Sequence, residues 1–233
     1  MSQSRQVMEI SVIVPVFREQ AGINAFVRHL VDIFPVDRHE IIVVDGSPDE
    51  ETRKALDVPG ISTLASDKGR ARQMNAGAGQ ATAQVLLFVH ADTRLPANSA
   101  QLIPSALKDE NIVGGSFSLG ITSERPFLKL VEQVANLRSR WTRVPYGDQG
   151  IFVRRDYFYK IGGFKDIPIM EDLEFMTRIK KSGGKIEILP ERVKTSDRRW
   201  EREGPLYCTL RNWLIRIMYH CKVSADRISS FYR

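Results

Sequence analysis

The chain has 233 residues, 42% of them hydrophobic and 27% charged, as in an ordinary globular protein. No apolar run approaches the ~20 residues of a membrane span, and residues 1–6 lack the apolar core of a signal peptide, so a cytoplasmic protein is expected. The net charge of +6 suits an anionic partner such as a nucleoside diphosphate, nucleic acid or anionic lipid, and on one helix Cys208 and Cys221 lie too far apart to bridge.

Ile10–Val16 reads as a buried strand, with Pro15 near its end, where a ladder donor is dispensable. Residues 20–34 carry Ile23, Phe26, Val27, Leu30 and Val31 at helical spacing, and Pro35 ends them. Glu40–Asp45 is a second buried strand, closed by Gly46, Ser47 and Pro48. A short helix over 49–56, a strand over 61–65 and a basic-starting helix over 68–79 follow. Residues 85–89 form a fourth, wholly apolar strand that stops at His90-Ala-Asp92. This alternation implies an α/β fold: a mostly parallel sheet with right-handed crossovers and helices on both faces.

The pattern then loosens. Residues 111–119 predict a strand with a glycine break, and 126–141 a helix with Leu128, Val131, Val134, Ala135 and Leu137 on its apolar side. A strand over 150–154, a helical turn over 156–161, a helix over Glu171–Lys181 and a strand over 185–189 come next. An aromatic, basic helix over 205–221 closes the series, and no linker interrupts it, so 1–233 reads as one domain.

Several of these ends carry chemistry. Asp92 follows a buried strand, where open α/β sheets bind ligands, and a carboxylate there can hold a hard divalent cation or simply form a turn. His90 is a metal ligand or a substrate contact. Asp45 can accept N–H bonds from a base or close an Asx turn. Lys68, Arg70 and Arg72 cluster at a helix start, an arrangement that suits phosphate. Glu171 and Asp172 open a helix, where acidic residues stabilise the dipole or serve as a general base. Arg198, Arg199 and Trp200 pair guanidinium forks with an aromatic ring.

Together, Val12-Ile-Val-Pro-Val-Phe-Arg-Glu19, Ile42-Val-Val-Asp-Gly-Ser-Pro-Asp49, Gly69-Arg-Ala-Arg-Gln-Met-Asn-Ala-Gly77, Phe88-Val-His-Ala-Asp92, Gly147-Asp-Gln-Gly150 and Glu171-Asp172 resemble the family-2 glycosyltransferases of the GT-A fold. His-Ala-Asp-Thr and Arg-Arg-Trp are shared with a small bacterial subgroup called rSAM/selenodomain-associated transferase 2. The resemblance implies a nucleotide-binding half over about 10–110, an acceptor half over 111–203 and a helical extension over 204–233. It implies that Pro15, Phe17 and Glu19 line the base and ribose pocket and that Asp45 meets the base. Arg70 and Arg72 would face the diphosphate, with His90, Ala91, Asp148, Gln149, Arg199 and Trp200 around the nucleotide sugar. Asp92 would bind manganese or magnesium, Asp172, with Glu171 beside it, would act as base, and one displacement would invert the anomeric carbon. His90 stands where the family usually has the first Asp of Asp-x-Asp, so donor identity is open: a UDP-sugar by default, a GDP-sugar otherwise.

Two other functions compete. Nucleotidyl transfer to a sugar phosphate usually has a Gly-rich basic loop after the first strand, where this chain has Val16-Phe-Arg-Glu19. A non-catalytic nucleotide- or RNA-binding module makes little sense of Asp45 and Asp92, because carboxylates repel phosphate, and no nucleic-acid partner is expected. The acceptor is undefined, and a lipid-linked one is compatible. Helix 205–221 either packs on the sheet, meets a second copy, or touches an anionic membrane, which would place the protein at the inner membrane face.

Overall fold

The computed structural model describes residues 9–232, apart from the side chains of Arg198, Arg199 and Tyr232. In chain order the first half runs β1 (Ile10–Val16), α1 (Ile23–Ile33), β2 (Glu40–Asp45), α2 (Glu51–Ala55), β3 (Ser62–Ala65), α3 (Arg70–Gln80), β4 (Val85–Phe88), β5 (Thr93–Arg94) and α4 (Ser99–Ala106). The second half runs β6 (Ile112–Ser118), α5 (Pro126–Thr142), a 3-10 turn (Gly147–Gln149), β7 (Ile151–Arg154), α6 (Arg155–Lys160), α7 (Glu171–Lys181), β8 (Lys185–Arg192), β9 (Lys194–Thr195), α8 (Arg198–Glu203), α9 (Pro205–His220) and α10 (Ala225–Tyr232).

Seven strands form one sheet in the order β3-β2-β1-β4-β7-β6-β8. The pairs β1–β2, β2–β3, β1–β4 and β6–β8 are parallel, as alternating strands and helices require. The exception is β7, which lies antiparallel to both β4 and β6. The central strands are apolar throughout because both sheet faces are covered. Val12 and Val14 of β1 pack with Phe26, Val27 and Leu30 of α1 on one side. Ile13 packs with Met74 and Ala78 of α3 on the other. Gly77 permits this approach: a Cβ there would lie 2.5 Å from Cγ2 of Ile13. Such sites do not accept even a methyl group without displacement.

Two helices depart from their sequence pattern. In α5 the buried positions are Leu128, Glu132, Asn136 and Ser139, three of them polar, while Val134 and Leu137 of the expected apolar side are exposed. Asn136 satisfies both backbone groups of Leu119, accepting its N–H at 2.6 Å and donating to its carbonyl at 2.8 Å. Glu132 accepts the Ile121 N–H at 2.9 Å and pairs with Arg192. These polar groups replace the secondary-structure partners that the loop after β6 lacks. Helix α9 buries Cys208 and Ile215 while Leu206, Leu210, Trp213, Leu214 and Ile217 remain exposed, so its apolar face is not laid on the sheet.

Candidate active site

The sheet order reverses at β1, whose neighbours are β2 and β4, and the crevice beyond such a switch point is the usual ligand site. Val89 still bonds to β1 through its N–H and the Ile13 carbonyl at 3.0 Å, and the chain then leaves the sheet as His90, Ala91 and Asp92. Antiparallel pairing of β7 with β4 brings the preceding 3-10 turn, with Asp148, to the same edge. Helix α7 adds Asp172 and α3 adds Arg70, each near its N-terminus. The two-stranded pair β5–β9 ties the segment after Asp92 to Thr195, which carries α8 and Trp200 to the rim. The resulting cavity of about 920 Å³ is lined by Glu19, Arg70, His90, Asp92, Asp148, Asp172 and Trp200, among others. Ligand pockets run from roughly 300 to 1,000 Å³, and this one lies near the upper end of that range.

Gly147 holds the inner wall together. Its N–H donates to Oδ2 of Asp172 at 2.6 Å. A Cβ at Gly147 would lie 3.0 Å from Nε2 of His90 and 3.2 Å from that same Oδ2, so both side chains crowd a position that has none of its own. The other oxygen of Asp172 accepts the Leu173 N–H at 2.7 Å. Asp172 is thereby oriented by two backbone donors while still facing the cavity.

The field inside is set by crowded carboxylates. Burial pushes the Asp148 carboxyl up to about 6, and the negative charges of Asp172 and Asp92 push in the same direction. Its Oδ1 is shut off from solvent with no hydrogen-bond partner. Burial works against the charge on Arg70, but Glu171, Asp172, Asp148 and Asp92 outweigh it and raise its pKa. Asp92 itself is exposed, with the Thr93 hydroxyl 3.4 Å from Oδ1. An open carboxylate beside one with an unsatisfied oxygen suits a hard cation, which takes oxygen ligands. Among the described residues, no three His, Cys, Asp or Glu side chains form a ready-made cage, so phosphate oxygens or water would complete the set.

With this geometry in view, the sequence model of glycosyl transferase family 2 matches residues 11–165. The chain belongs to that family. Its sequence is 23% identical over 224 aligned positions to a probable glycosyltransferase, YdaM, of Bacillus subtilis (strain 168), covering 85% of this chain and 52% of that one. The chain thus spans about half the length of that curated relative. Its fold is similar to that of the mannosyltransferase PcManGT from Pyrobaculum calidifontis, solved with GDP-Man and Mn2+, at a TM-score of 0.65 and 19% identity over 93% of this chain and 63% of that one. It is also similar to residues 1–349 of S. aureus TarS in complex with UDP, at a TM-score of 0.60 and 18% identity, covering 81% and 60%. The expected GT-A fold is therefore present.

The residues that the family resemblance singles out divide into two groups. Glu19, Arg70, His90, Asp92, Asp148, Asp172 and Trp200 line one cavity. The other described residues lie outside that lining. Asp45 is fully buried and accepts the N–H groups of Ser47 at 2.8 Å and Arg53 at 2.9 Å, which fixes the turn after β2. Gln149 is buried among Ser139, Tyr146 and Phe117. Glu171 is buried in an ion pair with Arg70 at 2.8 Å, which holds that guanidinium toward the cavity. Arg72 pairs with Asp166 at 2.9 Å on the surface. Pro15 lies within β1 opposite Val44, and half-buried Phe17 carries the Lys68 ammonium 4.6 Å from its ring centre. Ala91 is half-buried between His90 and Asp92, and the Arg199 side chain falls outside the described residues. The sequence reading missed Arg138, Tyr146 and Arg216, which also line the cavity. The signal that could have found Arg138 was a cation recurring one turn after Val134 on an otherwise apolar stripe.

Proposed function

We propose that the chain is an inverting glycosyltransferase that moves a sugar from a nucleoside-diphosphate sugar to an acceptor hydroxyl with the help of a divalent cation. The observation that carries this reading is the convergence of Asp92, Asp148, Asp172 and Arg70 on one cavity at the carboxyl edge of β4. Three carboxylates around a site for an anionic diphosphate are repulsive unless a cation intervenes. Asp92, with Asp148 beside it, would hold that cation, which when bound neutralises charge on the departing diphosphate. Arg70, positioned by Glu171, contributes a second positive charge at the same edge. Asp172 accepts the proton of the attacking hydroxyl, with its orientation fixed by the Gly147 and Leu173 amides. The hydroxyl oxygen bonds to the anomeric carbon as the bond to the diphosphate breaks, in one inverting displacement.

The complexes of PcManGT with GDP-Man and Mn2+ and of TarS with UDP support a nucleoside-diphosphate donor and a divalent metal. A UDP-sugar remains our default, with a GDP-sugar as the alternative that the PcManGT complex favours. Asp172→Asn tests the assignment. The amide oxygen can still accept the Gly147 N–H, so donor binding should stay within about threefold of wild type while transfer falls by at least a thousandfold, within the range expected for loss of a general base. Retained transfer would remove Asp172 as the base.

A further inference from the structure

The two helices that depart from their sequence pattern border the same cavity. Helix α5 exposes Leu130, Val134, Leu137 and Trp141, between 43% and 87% accessible, in a single stripe. Helix α9 exposes Leu206, Leu210, Trp213 and Ile217, between 50% and 66% accessible, at the same helical spacing. Leu130 and Val134 of α5 and Leu206, Leu210 and Trp213 of α9 line one cavity, and Asp92, Asp148 and Asp172 line the same one. Contiguous exposed apolar surface of this kind marks a binding site for something apolar.

Two cations, Arg138 and Arg216, line the same cavity. The guanidinium of Arg138 lies 3.6 Å from the Tyr146 ring centre, and that of Arg216 lies 5.5 Å from the same ring. No ion pair joins either arginine to a carboxylate among the described residues. Arg138 Nε is buried with no hydrogen-bond partner. Burial makes the Arg138 cation harder to hold and Arg216 adds to it, while Tyr146, Asp148 and Asp172 act in the opposite direction without cancelling the effect. Two guanidiniums gathered on one ring are a receptor for an anion, and phosphate matches their fork geometry.

We infer that the α5–α9 trough is the acceptor site and that the acceptor is a phosphate-bearing lipid. Its chain lies along Leu130, Val134, Leu210 and Trp213, its phosphate on Arg138 and Arg216, and a headgroup hydroxyl beyond the phosphate reaches Asp172. This assignment rests on the glycosyltransferase reading. In the transfer, the headgroup oxygen bonds to the anomeric carbon and its proton passes to Asp172. The bond from that carbon to the diphosphate oxygen breaks, and its electron pair leaves with the nucleoside diphosphate. The cleft carries apolar, cationic and acidic lining together, the three chemistries that the chain, phosphate and hydroxyl of such a lipid require.

The probe is dodecyl phosphate below its micelle concentration, titrated into the full chain and read by tryptophan fluorescence, since Trp200 and Trp213 line the cleft. Inorganic phosphate and dodecyl maltoside serve as head-only and chain-only controls. Dodecyl phosphate should bind saturably and at least tenfold more tightly than either control. Leu210→Glu, at a position 66% exposed, should weaken it at least tenfold without lowering the thermal midpoint. Arg138→Gln combined with Arg216→Gln should abolish its advantage over dodecyl maltoside. Equal binding of dodecyl maltoside to wild type, or unchanged binding in Leu210→Glu, overturns the assignment. A stable dimer that excludes dodecyl phosphate also overturns it, by giving the two stripes to a second copy. Donor binding, followed in parallel as a thermal shift with UDP or GDP and manganese, separates the two levels. Intact donor binding without dodecyl phosphate binding removes the trough assignment alone. Dodecyl phosphate binding without donor binding removes the glycosyltransferase reading.

Discussion

Asp148→Asn should stabilise the metal-free protein above pH 6. In the unfolded chain an aspartate ionises near 3.8, whereas burial, Asp172 and Asp92 raise Asp148 to about 6 in the fold. Between those values the unfolded chain gives up its proton first, so this group makes the protein less stable as pH rises from 4 to 6 and adds no further slope above that. Each pH unit of displacement corresponds to about 1.4 kcal/mol, so holding the carboxylate ionised at pH 8 costs up to about 3 kcal/mol. Asp148 keeps some contact with solvent, and about 2 kcal/mol is the expected gain when asparagine removes the charge. For a chain of this size that corresponds to roughly 4–8 °C in thermal midpoint. The assay is thermal or urea unfolding in chelator at pH 4, 5, 6, 7 and 8. The variant should match wild type at pH 4, draw ahead between 4 and 6, and keep a constant lead above. With manganese and UDP or GDP added at pH 8 the lead should shrink or reverse, because only wild type has the carboxylate that the cation offsets. A variant less stable than wild type at pH 8, or a lead unaffected by pH, would refute the electrostatic account of the site.

Gly147→Ala should cut sugar transfer at least tenfold with a thermal midpoint within about 3 °C of wild type, because its Cβ would press on His90 at 3.0 Å and Asp172 at 3.2 Å. Steady-state kinetics beside a thermal melt checks this, and unchanged transfer would show that the close packing of His90 and Asp172 on Gly147 is not needed. Asn136→Ala should destabilise the fold by roughly 2–4 kcal/mol, since it leaves the buried N–H and carbonyl of Leu119 without their partner. Urea denaturation measures it, and a loss under 1 kcal/mol would mean that water replaces the side chain.

The central strands were legible because they are buried on both faces and therefore read as unbroken apolar runs. Their neighbours along the sheet were not. Ile151–Arg154 is short and apolar, and nothing in four such residues tells that the strand runs antiparallel between β4 and β6. Strands β5 and β9 have two residues each and form only because the chain returns to Asp92, a long-range event with no local signal. Helices α4 and α8 have no clear sequence signal, since α4 carries Pro104 within it and α8 has only six residues, whereas α10 falls within the helical extension expected over 204–233. In α5 the helical period holds and the inward face holds in part: Leu128, Val131 and Ala135 pack on the core, while Val134 and Leu137 are exposed. Glu132 and Asn136 are buried because the loop after β6 needs hydrogen-bond partners, a demand that outweighs the hydrophobic pattern locally.

The candidate site shows the same division. Asp92, in the turn after β4, and Asp172, in the first turn of α7, line the cavity at the switch point. Asp45 ends a strand, yet its oxygens are taken by the amides of Ser47 and Arg53. Sequence cannot separate these cases, because a carboxylate at a strand end serves a ligand or its own loop with the same local signature. Arg138 and Arg216 come together only through the packing of α5 beside α9, on the ring of Tyr146.

We propose above that Asp92 and its neighbours hold a divalent cation and the diphosphate of a sugar nucleotide. The most direct measurement is the thermal midpoint of wild type and Asp92→Asn with UDP and GDP, each with manganese and with chelator. Binding at a hundred times Kd stabilises a fold by about 2.7 kcal/mol, a shift of several degrees here. The account predicts such a shift for wild type with one nucleotide and manganese, at most a small shift in chelator, and its loss in Asp92→Asn. An equal shift in chelator, or one that Asp92→Asn leaves intact, would contradict it.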